Sequence, residues 1–168
     1  MISRAALRGQ LARFRRALPR VEPFYAVKAN PHGEVLRTMV SAGAGFDVAS
    51  VGEMEAVLAA GASPERVIFA NTIKPASAIA SAARRGVNLM TFDSEYELDK
   101  IAENAPAARV VVRIKVPNVG SIVELSLKFG AEPADAIPLL IKAHRLRLRP
   151  AGVSFHVGSQ CTRVENYI

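Results

Sequence analysis

Cysteine, tryptophan and long apolar runs are scarce or absent in this chain of 168 residues. The single cysteine, Cys161, excludes an intramolecular disulfide. The lack of a signal-like start and of an apolar run long enough for a membrane helix predicts a cytoplasmic protein with no membrane partner. Hydrophobic residues make up 50% of the sequence, which is enough for the core of one globular domain.

Several ligand-binding motifs are also missing. The chain has no Cys-x-x-Cys, no His-x-x-x-His and no oxygen-rich calcium loop, so no metal site is predicted. No Gly-x-Gly-x-x-Gly follows the first predicted strand, and the dinucleotide-binding fingerprint is therefore absent.

Acidic residues are outnumbered, because 22 lysines and arginines stand against 15 aspartates and glutamates for a formal net charge of +7. Part of the excess is a group of amino-terminal arginines: Arg4, Arg8, Arg13, Arg15, Arg16 and Arg20. An apolar stripe runs between them at helical spacing: Leu7, Leu11, Phe14 and Leu18. The arginines therefore fall mostly on the solvated face of a helix predicted over about residues 3–17. With few aromatic residues (6%), this pattern favours a charged surface over a nucleic-acid partner.

Short apolar runs alternate with longer amphipathic segments, which is typical of parallel β/α units. The predicted strands cover residues 24–28, 45–48, 66–70, 87–92, 109–116 and 151–155. Six units suit either an open doubly wound sheet or part of a (β/α)8 TIM barrel, in which about six of the eight strand units are present. In a barrel, the missing strands would leave unpaired backbone at the seam, so we expect a fragment or an obligate partner.

Charged or polar residues close several of these strands. Lys28 ends the first, Asp47 lies at the end of the second, Arg113 lies in the fifth, and His156 follows the sixth. The active site of a parallel β/α barrel lies at the carboxyl ends of its strands, so each is a catalytic candidate. Each also has a simpler explanation: a solvated lysine, a helix cap, an ion pair with a loop carboxylate, or a structural histidine. For Lys28, burial in an apolar strand would favour the neutral amine, which can form an imine with an aldehyde cofactor.

Five sequence blocks, in order, resemble the fold-type III, alanine-racemase-like pyridoxal-phosphate decarboxylases of basic amino acids. The blocks are Pro23-Phe24-Tyr25-Ala26-Val27-Lys28-Ala29-Asn30, Gly45-Phe46-Asp47-Val48-Ala49-Ser50 with Glu53, Met90-Thr91-Phe92-Asp93-Ser94-Glu95, Ser126-Leu127-Lys128-Phe129-Gly130, and Ser154-Phe155-His156-Val157-Gly158-Ser159-Gln160-Cys161. Phe46 and the Ser-Phe-His sequence are similar to the ornithine and lysine branch. The diaminopimelate branch usually has His-x-His-x-Gly-Ser instead.

The resemblance implies pyridoxal 5'-phosphate as the cofactor and a role for each matching residue. Lys28 would bond covalently to the cofactor aldehyde, His156 would stack on its ring, and Ser159 would contact its phosphate. Asp47, Glu53 and Arg113 would line the cofactor pocket. The implied reaction is decarboxylation of ornithine or lysine to putrescine or cadaverine, in polyamine biosynthesis.

The chain also departs from the family pattern. It lacks the glycine-rich phosphate loop, the acidic partner of the ring nitrogen and the C-terminal β domain that completes the partner subunit's site. We therefore expect residues 1–168 to be a single, incomplete cofactor-binding barrel domain that is inactive alone, with a homodimeric full-length form. Two alternatives stay open: a non-catalytic truncated homologue that binds or regulates a full-length decarboxylase, and a diaminopimelate decarboxylase.

Overall fold

The computed structural model describes residues 2–123, 125–126 and 128–167. Within these ranges the α-helices are α1 (Arg4–Ala17), α2 (Gly33–Ser41), α3 (Val51–Ala59), α4 (Ala76–Arg84), α5 (Glu95–Asn104) and α6 (Ala136–Arg145). The strands are β1 (Phe24–Ala26), β2 (Gly45–Val48), β3 (Val67–Phe69), β4 (Leu89–Phe92), β5 (Arg109–Arg113) and β6 (Arg149–Ser154). No helix in the described ranges is long and apolar enough to cross a membrane.

The strands alternate with the helices and form one sheet in the order β1-β2-β3-β4-β5-β6. Pairing is parallel between β1 and β2, between β2 and β3, and between β5 and β6. Parallel neighbours need a long crossover connection, which explains why a helix separates each strand from the next. The predicted series of six β/α units is confirmed.

The chain divides into two compact units. The first unit comprises residues 1–71 and 80–89, and the second comprises residues 72–79 and 90–168. The single barrel domain expected over residues 1–168 stays a prediction.

In the first unit, α2 and α3 bury apolar side chains and leave charged ones in solvent. Leu36 and Met39 of α2 and Met54 and Val57 of α3 are buried, as is Phe46 of β2. Ser50 caps the start of α3, because its hydroxyl accepts a hydrogen bond from the Glu53 amide at 3.2 Å. The Glu53 carboxylate reaches the amide of Ala49 at 2.7 Å, so it also closes the helix start.

The first strand differs from its prediction. A buried strand was expected over residues 24–28, but β1 ends at Ala26 and Phe24 is 38% exposed. Residues Val27–Ala29 turn into a short 3-10 helix, in which Val27 is buried and Lys28 is exposed. The expectation of a desolvated Lys28 is therefore wrong for this chain. The physical reason is that the 3-10 turn carries Lys28 past the hydrogen-bonded part of β1 and into solvent.

The second unit also has a core of buried apolar side chains. Its core contains Met90 and Phe92 of β4, Leu98 of α5, and Val110 and Val112 of β5. Ser94 caps α5 by accepting a hydrogen bond from the Glu97 amide at 3.3 Å. Burial of these apolar side chains is the main stabilising contribution in the unit.

A buried ion pair lies inside this apolar core. Lys74, in the loop before α4, is 0% exposed, and Glu97 of α5 is 2% exposed. The Lys74 ammonium lies 2.9 Å from a Glu97 carboxylate oxygen and donates to the Thr91 carbonyl at 2.7 Å. Lys100 contacts the other Glu97 oxygen at 2.6 Å. Burial lowers the pKa of Lys74, and the hydrogen bond and charge of Glu97 oppose that change.

Removing the Glu97 charge should destabilise the chain strongly. Glu97→Gln leaves the buried Lys74 ammonium without its paired carboxylate, so we expect a loss of about 3 kcal/mol or more in the free energy of unfolding. Glu55→Gln is the matched control because it breaks the exposed Glu55–Arg85 pair and should cost less than about 1 kcal/mol. Urea unfolding measures both variants. Equal, small losses would contradict the structural role of the buried pair.

Candidate functional site

Three of the predicted site residues lie close together in the first unit. Lys28 follows β1, Asp47 lies in β2 directly opposite Ala26 in the strand register, and Glu53 lies in the first turn of α3. Asp47 is half-buried between the buried residues Phe46 and Val48. Parallel pairing brings the carboxyl ends of β1 and β2 side by side. The Lys28 amine therefore lies near the carboxylates of Asp47 and Glu53.

The charges of these residues act on one another. Burial raises the pKa of Asp47, the charge of Lys28 lowers it, and the charge of Glu53 raises it again. Burial is the largest of the three effects. Asp47 therefore holds a proton more readily than a solvated aspartate, with the Lys28 amine as the neighbouring group that favours its ionised form.

A chain of local hydrogen bonds holds the turn that carries Lys28. The Tyr25 hydroxyl donates to the Asn30 carbonyl at 3.1 Å, and the Tyr25 ring packs edge-on against Phe46 with centroids 6.4 Å apart. The Asn30 side chain accepts from the His32 amide at 3.0 Å, and the His32 ring accepts from the Glu34 amide at 3.2 Å. The end of β1, the 3-10 turn and the start of α2 are thus joined, and Lys28 sits on a fixed turn.

Arg113 ends β5 in the second unit and is half-buried. Its guanidinium carbon lies 5.3 Å from the centroid of the Phe129 ring. Burial lowers the pKa of Arg113, and the charge of Asp93 opposes that shift. Asp93, which follows β4, accepts a hydrogen bond from the Gly130 amide at 2.9 Å.

His156 and Ser159 share a loop that follows β6. The Nδ1 atom of His156 accepts a hydrogen bond from the Gly158 amide at 2.9 Å, which orients the ring. Ser159 bonds through its backbone to Val123 and Ile122, each at 3.0 Å. Its half-buried hydroxyl makes no hydrogen bond within the described part of the chain. The loop therefore offers a fixed imidazole ring and an available hydroxyl donor.

Two features of the site were not predicted from sequence. Asp93 was named only as part of a family block, although it directly follows β4, so the strand-end rule applied to Lys28 and His156 could have identified it. No polar role was predicted for Tyr25, because no local sequence pattern indicates the hydrogen bond from its hydroxyl to the Asn30 carbonyl. Among residues 2–123, 125–126 and 128–167, no group of three or more histidine, cysteine, aspartate or glutamate side chains is placed to hold a metal ion.

Comparison with known proteins identifies a family. The family described as pyridoxal-dependent decarboxylase, pyridoxal binding domain, matches residues 4–168. Ornithine decarboxylase of Schizosaccharomyces pombe is 48% identical over 150 residues, which is 89% of this chain and 35% of that protein. Antizyme inhibitor 2 of Xenopus laevis is 48% identical over 155 residues, which is 92% of this chain and 34% of that protein.

A solved structure agrees with the fold. Lysine decarboxylase from Selenomonas ruminantium superposes with a TM-score of 0.89 at 42% identity, covering 96% of this chain and 43% of that one. The predicted fold, part of a TIM-barrel decarboxylase with six parallel strands in one sheet, is confirmed. The chain spans about a third of the length of the curated relatives that it matches.

The raised pKa of Asp47 predicts a pH-dependent stability. A carboxyl group that binds its proton more tightly when folded disfavours folding above its raised pKa, and this cost vanishes below the ordinary aspartate value. Asp47→Asn removes the titration. Its free energy of unfolding, relative to wild type, should therefore be higher at about pH 7 than at about pH 4.

Asp135→Asn is the control for this comparison, since Asp135 is exposed and its side chain makes no capping hydrogen bond. Its difference from wild type should change little over the same pH range. An Asp47→Asn difference that is flat, or that falls with rising pH, would contradict the burial of this carboxyl group.

The Tyr25 hydroxyl should contribute measurably to stability. Tyr25→Phe deletes only the hydrogen bond to Asn30, so we expect a loss of about 1 kcal/mol in the free energy of unfolding. Tyr96→Phe removes a hydroxyl from a side chain that is 76% exposed and should be close to neutral. Equal effects of the two substitutions in urea unfolding would show that the contact does not hold the turn.

Proposed function

Because this chain belongs to the pyridoxal-binding-domain family of the pyridoxal-dependent decarboxylases, we propose that it is the cofactor-binding part of a decarboxylase acting on ornithine or lysine. The observation that carries the proposal is the exposed amine of Lys28, on a fixed turn beside Asp47. The predicted cofactor is pyridoxal phosphate, and the family is named for its pyridoxal group.

The side chains of the described residues have the chemistry that pyridoxal phosphate requires. Lys28 supplies a primary amine for the aldehyde, and its exposure leaves it accessible to a ligand. Ser159 supplies a hydroxyl donor suited to a phosphate oxygen, and Arg113 supplies a permanent positive charge. The imidazole of His156 has a fixed plane suited to stacking on an aromatic ring. These residues therefore fit the cofactor.

Each residue then has a task that its surroundings support. The Tyr25–Asn30 contact keeps the Lys28 turn in place, so the amine returns to one position after each cycle. Asp47 and Glu53 provide negative charge beside that amine. The hydrogen bond from Gly158 orients the ring of His156. When bound, the cofactor supplies an electron sink that stabilises the charge left by departing carbon dioxide.

The proposed substrate is a basic amino acid. The ornithine decarboxylase of S. pombe and the lysine decarboxylase of S. ruminantium, both similar over most of this chain, support ornithine or lysine and the products putrescine or cadaverine. A homodimeric full-length form, a cytoplasmic location and the residue roles stay predictions, and a diaminopimelate decarboxylase stays an open alternative.

A second candidate function is non-catalytic. The 48% identity to antizyme inhibitor 2 of X. laevis favours a homologue that binds or regulates a full-length decarboxylase. This candidate predicts that the chain co-purifies with a coexpressed ornithine decarboxylase whether or not Lys28 reacts with the cofactor. The cofactor-binding proposal instead requires that reaction.

Cofactor binding can be tested by covalent trapping. Incubation with pyridoxal phosphate followed by borohydride reduction should add one pyridoxyl group, on the peptide that contains Lys28, because the exposed amine reacts with the aldehyde. Mass spectrometry of the digested chain locates the label. Lys28→Arg keeps the positive charge but lacks a primary amine, and should lose the label.

Lys142→Arg is the matched control. Lys142 forms surface ion pairs with Glu95 and Asp99, so the variant should be labelled at Lys28 like wild type. Circular dichroism confirms that each variant is folded. A folded wild-type chain that stays unlabelled, or that is labelled equally on several lysines, would refute the proposed function.

A further inference from the structure

The sequence block Ser126–Gly130 has no role in the function proposed above. Leu127 of this block lies outside the described residues, whereas the Phe129 ring lies over the Arg113 guanidinium, with its centroid 5.3 Å from the guanidinium carbon. A guanidinium over the face of an aromatic ring is attracted by the ring's negative face, and the attraction grows when solvent is partly excluded. Both side chains are half-buried, so the contact is partly shielded from water.

Backbone hydrogen bonds hold Ala131, the residue that follows this block, against the end of β5. The Ala131 amide donates to the Arg113 carbonyl, and the Lys115 amide donates to the Ala131 carbonyl, each at 2.9 Å. Ile114 and Ala131 pair as a parallel bridge. On its other side, Ile114 donates to the Ser154 carbonyl at 2.9 Å. The segment that follows Phe129 thus pairs with the end of β5 over a short distance, and this pairing restricts its movement.

Gly130 permits this close approach. Its φ is +99°, and an added Cβ would lie 2.9 Å from the Ile114 carbonyl carbon and from the Lys115 amide nitrogen. Both atoms belong to backbone that is already hydrogen-bonded, so they cannot move aside cheaply. Only glycine allows Phe129, one residue earlier, to stand over Arg113 while the segment stays paired.

Asp93, which follows β4, also contacts this group of residues. Its carboxylate accepts the Gly130 amide at 2.9 Å, and its charge opposes the effect of burial on Arg113. One side chain therefore fixes the glycine and stabilises the guanidinium as a cation. Lys74, whose ammonium also experiences the Asp93 charge, is held by its own pair with Glu97.

We propose that Asp93, Phe129 and Gly130 are positioning residues that hold the Arg113 guanidinium in one orientation before any ligand binds. The proposal rests on the proposed function, since it assigns Arg113 to the cofactor site. The geometry that carries it is the ring over the guanidinium, the paired segment behind the ring and the carboxylate on Gly130. An arginine fixed in advance loses less conformational freedom when it meets an anionic ligand, which favours binding.

The orientation itself is tested without cofactor. In the cofactor-free chain, the Nε–H signal of Arg113 in a nitrogen-15 NMR spectrum should be shifted by the Phe129 ring, and Arg113→Lys assigns that signal by removing it. Phe129→Leu keeps apolar volume but lacks the ring, so the signal should move to the ordinary arginine position. Phe129→Tyr restores a ring face and should restore the shift. Phe14→Leu, on α1, is the control and should change nothing.

The consequence for binding is tested by titration with pyridoxal phosphate. Phe129→Leu should weaken binding roughly three- to tenfold, and Phe129→Tyr should bind like wild type. Combining Phe129→Leu with Arg113→Lys should be no weaker than Arg113→Lys alone, because a positioning residue acts only through the arginine. Asp93→Asn, which keeps an acceptor for Gly130 but removes the charge, should also weaken binding and serves if Phe129→Leu does not fold.

The outcomes separate the two hypotheses. An Arg113 signal that is unmoved by Phe129→Leu, or fully additive losses in the double variant, would overturn the positioning role. A wild-type chain that shows the predicted Arg113 signals but binds no pyridoxal phosphate would overturn the proposed function instead, leaving the fixed orientation of Arg113 established.

Discussion

Parallel strand pairing places the polar residues of this chain. Within the first unit, the pairing of β1 with β2 and of β2 with β3 aligns the carboxyl ends of these strands, and Lys28 and Asp47 lie at those ends. Within the second unit, the pairing of β5 with β6 does the same for Arg113 and for the loop that carries His156 and Ser159. Residues at or just after the end of a strand lie at the edge of the apolar core, so polar groups accumulate there without disturbing the core.

Contacts from neighbouring residues hold these polar groups in one orientation. A tyrosine hydroxyl holds the turn of Lys28, a glycine amide holds the ring of His156, and a phenylalanine ring covers the guanidinium of Arg113. Such contacts contribute little to stability one by one. Their effect is to restrict orientation, which matters most where a side chain must meet a ligand in one geometry.

Charged residues near the strand ends serve different purposes according to their burial. Lys28 is exposed and lies beside carboxylates without an ion pair in the described part of the chain, whereas Lys74 is enclosed and paired with Glu97. A fully enclosed ammonium must have a counter-charge, and it cannot reach an incoming ligand. The same residue type is therefore a candidate reactive amine in one loop and a structural ion pair in another.

The sequence by itself determined the order and type of the elements and the positions of Lys28, Asp47, Arg113 and His156 at or near the strand ends, since hydrophobic periodicity depends on residues a few positions apart. It also carried the family resemblance. Only the tertiary structure decided that Lys28 is exposed on a 3-10 turn, that Glu97 pairs with Lys74, and that Asp93 meets Gly130. The two contacts join residues far apart in the chain, and they and the exposure of Lys28 follow from packing, which no local pattern specifies.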